Sequence, residues 1–239
     1  MKHILARTTG LWAATLMLTG GVLVSAETAH AQAILEEQGT IVPAQREYSV
    51  TAEAGQVLAI LMSSDEFDTV LSLLGPGGEE VAFNDDYGGT LNSRIIYRVP
   101  TDGEYTVVAR SFSGQGGNFD LVVRAATPYE VSYDAAQQAL QEGDYAGAIA
   151  AYSEAIELEP TNPEAYLGRA DANFGRAFVA ADAEGRVFEG PNDIPDDLRE
   201  AIIADFEAAL AIYEETGNTF SAQSLQEQIN YLRTGEYTP

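Results

Sequence analysis

The chain has 239 residues, no cysteine and two histidines, and its 37 Asp and Glu against 12 Lys and Arg give a net charge of −25 at pH 7. A surface this acidic repels nucleic acid and anionic lipid, which leaves cations, basic proteins and neutral polymers as partners, with solubility alone as the plainer reading. Without cysteine there is neither a disulfide nor a thiolate site.

In chain order, the first residues read as an export leader. Lys2 and Arg7 precede an apolar run from Leu11 to Val24, and "SAETAHAQA" follows, with small residues at Ala29 and Ala31. That succession is the secretory pattern, and the apolar run is too short to span a bilayer comfortably. Cleavage is expected after Ala31, with Ala26 and Ala33 as alternatives and an uncleaved anchor as the competing reading. Residues 1–31 are therefore set aside as a signal peptide. The protein is expected to be periplasmic or secreted, with no integral membrane segment once the leader is gone. The leader takes His3, His30 and Lys2, the only lysine, with it. What remains has no His, Cys or Lys, which excludes a Ser-His-Asp triad, a thiol nucleophile, a Schiff-base lysine, a Walker-type phosphate loop and a conventional zinc site. Carboxylates, hydroxyls, Tyr and Arg are left for chemistry, and hard cations such as calcium stay compatible with them.

Alternating apolar and polar residues dominate up to "AATPYE", Ala125 to Glu130. "REYSVTAE", "QVLAILMS", "DTVLSLLG", "EEVAF", "SRIIYRVP", "GEYTVVARSF" and "NFDLVVRA" read as strands, each short and closed by Gly, Pro, Asp or Asn. About eight strands at this spacing predict an antiparallel sandwich. Pro76 and Pro100 interrupt pairing in the turns, and the neighbouring glycines accept positive φ.

Beyond the boundary the period becomes helical. Ala148, Ile149, Tyr152, Ala155 and Ile156 share a face at spacings of three and four. Pro160 ends that helix, and Asn162 with Pro163 starts the next as N-cap and first helical position. Small alanines on the inner face allow helices to approach closely. The half also repeats: Ser132 to Tyr166 and Ala136 to Ala170 are spaced by 34, whereas Tyr152 to Phe206, Ala155 to Ala209 and Leu158 to Ile212 are spaced by 54. The difference places a 20-residue insertion at about 179–198.

The 34-residue period and "GDYAGAIAAYSEAIELEPTNPEAY" resemble a tetratricopeptide repeat, carried by Gly143, Asp144, Tyr145, Ala148, Tyr152, Ala155, Pro160, Tyr166 and Ala170. In the second repeat Ile202 stands where a small residue is expected, and "EETGNTFSAQSLQEQINYLR" is similar to the closing helix of such arrays. The first half, from "FDTVLSLLGPGGEEVAFNDDYGG" to "GQGGNFDLVV", resembles the bacterial pre-peptidase C-terminal domain. That resemblance implies a non-catalytic, jelly-roll-like β-sandwich attached to exported proteins, with relatives that bind calcium and dock on collagen. The expected organisation is a leader at 1–31, a sandwich at 34–125, a linker at 126–130 and a helical domain at 131–235.

Within this frame "NDDYGG" joins two strands. The preferred reading is a turn, with Asn84 and Asp85 bonding their own backbone and Gly88 and Gly89 taking unusual dihedrals. The competing reading is a calcium site formed by Asp65, Asp68, Asp85 and Asp86. Calcium needs six to eight oxygens, the spacing matches no EF-hand loop, and the acidic linker of the collagen-binding relatives is echoed only by Glu36 and Glu37. A catalytic carboxylate pair ranks last, because adjacent turn residues do not face each other across a substrate. Arg94 is expected to pair with Asp85, Asp86 or Asp68 and pin the turn, its functional alternative being to grip a carboxylate or sulfate. In the helical half the carboxylate clamp of some tetratricopeptide domains is absent, since Tyr133, Gln137 and Gly168 occupy its places. Tyr133, Tyr166 and Phe174 are candidate partner-binding aromatics, with core packing as the plainer role. Taken together, the sequence predicts a non-catalytic exported scaffold for protein–protein interaction, with no cofactor unless calcium. The alternative is a calcium-dependent adhesin or polymer-binding module.

Overall fold

The computed structural model describes residues 33–41, 45–87 and 90–236. The expected leader lies outside these residues, as do Gly88 and Gly89 of the turn. Eight strands come first: β1 (Ala33–Ile41), β2 (Arg46–Ala52), β3 (Val57–Ser63), β4 (Thr69–Leu74), β5 (Glu80–Asn84), β6 (Ser93–Arg98), β7 (Gly103–Ser111) and β8 (Gly117–Ala125). They form two four-stranded sheets with orders β1-β8-β3-β6 and β2-β7-β4-β5. Every described pairing is antiparallel. This strand order is that of a jelly roll. Seven strands are the ones the alternation predicts. β1, in "AILEEQGTI", is additional, and its register runs along the whole of β8 from Ala33 against Arg124 to Ile41 against Gly117.

The two inner faces meet in one apolar core. Leu58, Ile60, Leu71, Leu73, Val107 and Leu121 are almost wholly buried there. The alternation that builds this core also places Ala59 on the opposite side of β3, level with Arg124 of β8 and Ile96 of β6. Ala59 is nevertheless fully buried, so the outer face of this sheet is covered at this point, whereas Ser63, Asn118 and Asp120 toward its other end are exposed.

Five α-helices follow: α1 (Pro128–Gln141), α2 (Tyr145–Leu158), α3 (Pro163–Ala183), α4 (Asp196–Thr216) and α5 (Thr219–Thr234). α1 opens inside the expected linker, which shortens the link after β8 to Ala126 and Thr127. Thr127 and Glu130 make a capping box there: the Thr127 side chain accepts from the Glu130 amide at 3.2 Å, and Glu130 accepts from the Thr127 amide at 2.8 Å. Asn162 caps α3 with Pro163 in the first turn, as its sequence predicts. Gly143 turns the chain between α1 and α2 at φ +76°, a conformation that costs other residues about 1 kcal/mol or more.

α1 with α2, and α3 with α4, form the two repeat hairpins, and α5 closes the array. Between α2 and α3 the helices approach on alanine: Ala148, Ala155, Ala165 and Ala172 are all fully buried. Ile202 takes the place of Ala148 in the second hairpin and is itself fully buried, in the cluster shared by α3, α4 and α5. Both ends of the expected insertion are helix, because α3 runs on to Ala183 and α4 begins at Asp196. Its remainder folds back onto this cluster through Ile194, which is buried, and Phe188, which packs against it. Val187 faces solvent at 76% exposure. The sandwich and the helices belong to one compact unit.

Candidate functional site

Two places in the fold gather the chemistry that composition left available: the seam between sandwich and helices, and a cleft in the helical layer.

The seam is built from the acidic turn. Asn84 shapes it, donating from Nδ2 to the Asp86 carbonyl at 3.0 Å and accepting from the Arg94 amide at 2.8 Å. Asp85 contributes its carbonyl, which accepts from the Ser93 hydroxyl at 3.3 Å. The turn carries Tyr87 out to the helices, where its hydroxyl donates to Glu164 Oε2 at 3.2 Å. The Arg94 side chain does not pair with the carboxylates of the turn. Its guanidinium lies over two rings instead, 3.6 Å from the Tyr87 centroid and 5.6 Å from that of Tyr133. A guanidinium is weakly hydrated and planar, so a half-buried slot between aromatics suits it better than a solvated carboxylate cluster. Burial pushes the Tyr87 hydroxyl well above its ordinary range, against the pull of Arg94. It therefore acts as a neutral donor. A second tie lies at the end of β8, where Arg124 donates to both Glu130 oxygens at 2.6 and 2.7 Å. Burial alone would raise the Glu130 carboxyl, but Arg124 and the Thr127 amide outweigh it and hold Glu130 below the usual range.

The four acidic candidates do not form one site. Asp65 is exposed and lines a cleft with Ser63, Glu66, Asn118 and Asp120 at another part of the sandwich. Asp68 lies near Asp86 and Asp85, whose charges add to burial in raising its carboxyl. Its Oδ1 is shut off from water without a hydrogen-bond partner. Among the described residues no group of three or more His, Cys, Asp or Glu comes together as a metal-ion cage. Asp85 and Asp86 are thus near enough to repel the Asp68 carboxylate.

The aromatic candidates are packed. Tyr133 is buried, stacked on Tyr129 and edge-on to Tyr152, both at 5.6 Å between centroids. Tyr166 is half-buried and donates to the Pro160 carbonyl at 3.2 Å. Phe174 packs against Phe206 with ring centroids 6.2 Å apart.

Phe206 belongs to the cleft that sequence reasoning missed. This cleft, of about 300 Å³, opens between α3 and α5 over the flank of α4. Leu167 and Asp171 of α3, Phe206 and Tyr213 of α4, and Phe220 and Leu225 of α5 line it. Phe220 projects at the rim with 84% exposure. Asp171 keeps contact with water, yet the protein around it removes enough hydration to raise its carboxyl. The spacing 164, 167, 171 along α3 puts Glu164, Leu167 and Asp171 on one face. A large exposed aromatic in the first turn of a closing helix was the available sequence signal.

Comparisons with known proteins give one family match and several structural likenesses. The family model described as TPR repeat matches residues 137–175, from the second half of α1 into α3. The repeat resemblance read from Gly143 to Ala170 thus has a direct sequence match. No curated protein matches the chain. Similar solved structures include PliG, a periplasmic lysozyme inhibitor of g-type lysozyme, from Aeromonas hydrophila, at 18% identity, covering 42% of this chain and 90% of that one, with a TM-score of 0.34. They also include the pre-peptidase C-terminal domain of collagenase from Bacillus anthracis, at 11% identity, 38% and 89% coverage and a TM-score of 0.33. The PliG of Salmonella Typhimurium stands at 17% identity, 38% and 89% coverage and a TM-score of 0.29. The chain is a jelly-roll sandwich joined to a tetratricopeptide-type helical array.

Proposed function

We propose that this is an exported, non-catalytic scaffold that holds a protein partner through its helical array, with the sandwich acting as a rigid cap on the array's first helix. The observation that carries the reading is the cleft between α3 and α5, on the hairpins of a matched repeat: apolar at its floor, open to solvent and rimmed by an exposed phenylalanine. Such exposed apolar surface beside polar residues marks interaction sites. The missing His, Cys and Lys beyond the expected leader support a non-catalytic role, and the leader pattern supports export.

The test is capture from an exported fraction with the mature chain as bait, beside a Phe220→Asp variant of the same fold. The expected result is one or a few proteins retained by the wild type and lost by the variant. Identical capture by both would remove the cleft from the function.

A further inference from the structure

We infer that the segment taken by the α3–α5 cleft is cationic: a short peptide stretch with an aromatic or branched aliphatic anchor and an Arg or Lys beside it. This rests on the reading of the cleft as the partner site and names the chemistry of what fills it.

The lining decides the sign. Asp171 is the one charged residue among the cleft's walls, and no basic residue lines it. Glu164, one helical turn before Leu167 on the same face of α3, extends the negative side toward the sandwich. Asp171 takes part in no ion pair among the described residues. The basic residues of the helical half are engaged elsewhere: Arg169 with Asp205 and Ser153, Arg186 with Glu184, Arg199 with Asp196, and Arg233 with Glu207. Arg176, five residues beyond Asp171, falls about 140° round the helix. A cation on an incoming segment would therefore meet no basic side chain of the cleft competing for Asp171.

The floor decides the anchor. Leu167, Phe206 and Leu225 offer apolar surface, and Phe220 has no protein neighbour that buries it. An incoming aromatic or aliphatic side chain would cover that ring and displace water from the floor, which supplies affinity, while the carboxylates supply register. The partly dehydrated Asp171 has already given up some of the hydration that ion pairing would require it to lose. The chain's net charge of −25 steers any basic segment toward it, but only the cleft couples charge with an anchor.

Three short fluorescein-labelled peptides test this by anisotropy on the mature full chain: a Phe anchor flanked by Arg, the same anchor flanked by Glu, and the Arg peptide with Ala in place of the anchor. The Arg–Phe peptide should bind best. Asp171→Asn should weaken it by about three- to tenfold and flatten its salt dependence, Asp171→Glu should retain it, and Phe220→Ser should weaken it comparably. Asp120→Asn, on the sandwich, should leave it unchanged. Both cleft positions are exposed, and a melt of each variant verifies the fold. Binding indifferent to Asp171 and Phe220 would reduce the effect to diffuse attraction and overturn the inference. Preference for the Glu-flanked peptide, lost in Phe220→Ser, would overturn the cationic assignment and leave the cleft standing. Binding of none of the three would remove both.

Discussion

Tyr87 lies on the face of Arg94 at 3.6 Å, and its hydroxyl reaches across to Glu164 on α3. One side chain from a turn thus contributes a ring to a cation and a hydrogen bond to the neighbouring layer. The pair makes the acidic turn a connector. Tyr87→Ala should destabilise the chain by about 2–5 kcal/mol, the sum expected for a partly desolvated cation–π contact and a charge-assisted hydrogen bond. Thermal melts followed by helical circular dichroism check this. Tyr87→Phe should keep the contact with Arg94 but lose the hydrogen bond to Glu164, and so fall between the two, and an unchanged melt for Tyr87→Ala would dismiss the seam as a source of stability.

The helical array should not match the full chain's stability when separated from it. Two repeat hairpins with an alanine-rich interface bury little apolar area per residue, and such arrays need about three repeats. Residues 126–239 alone should melt below the intact protein and bind an apolar dye. A cooperative melt at the same temperature would show that the sandwich contributes nothing to the array.

The Arg124–Glu130 pair carries a pH dependence. Glu130 is held below its usual range in the folded state. Its contribution is therefore full above the unfolded glutamate value, about 4.3, and is lost as pH falls through the folded value. Arg124→Ala leaves a buried carboxylate without its partner and should cost about 3 kcal/mol at pH 7. Glu130→Gln should flatten the acid limb below about pH 4. An unaltered acid limb in that variant would mean that other carboxylates govern it.

Asp68 should behave in the opposite sense. Its folded value is raised, so the ionised form costs stability above that value, and the penalty disappears below the unfolded value near 3.9. Asp68→Asn should raise the melting temperature at neutral pH, with the gain shrinking on acidification. The same melts with calcium added discriminate further: a calcium-dependent rise in the wild type that Asp68→Asn loses would make Asp68, Asp85 and Asp86 a cation site after all.

Gly168 is a packing requirement. A methyl there would enter the ring of Tyr152, which is fully buried and has no room to retreat. Gly168→Ala should cost about 1–3 kcal/mol, and Tyr152→Leu in the same chain should return part of it. Equal melts for Gly168→Ala and the wild type would contradict this packing.

Local patterns revealed most of the architecture because strands and repeat helices advertise their buried faces every second, third or fourth residue. β1 escaped because the adjacent Glu36 and Glu37 break its alternation and because its partner, β8, lies at the far end of the sandwich sequence. The connector role of Tyr87 was hidden for a related reason. A turn's sequence describes its own dihedrals, whereas what its aromatic touches depends on how the next layer docks. Arg94 was expected among carboxylates by charge alone, and weak guanidinium hydration with two flat rings decided otherwise. The cleft lay beyond reach because Leu167, Phe206 and Phe220 come from three helices that only the array's packing brings together.

The pairing of β1 with β8 sets an order of events. The sandwich cannot close until the chain as far as Ala125 is available, because its first strand waits for its last. Pairing over such a separation is slow, whereas helical hairpins form quickly. With only Ala126 and Thr127 between β8 and α1, closure of the sandwich delivers the platform directly beneath the first helix. Until then, the alanine-lined hairpins have only one another to pack against. How long the helices wait for that platform is thus set at β1, a strand that does not line the α3–α5 cleft.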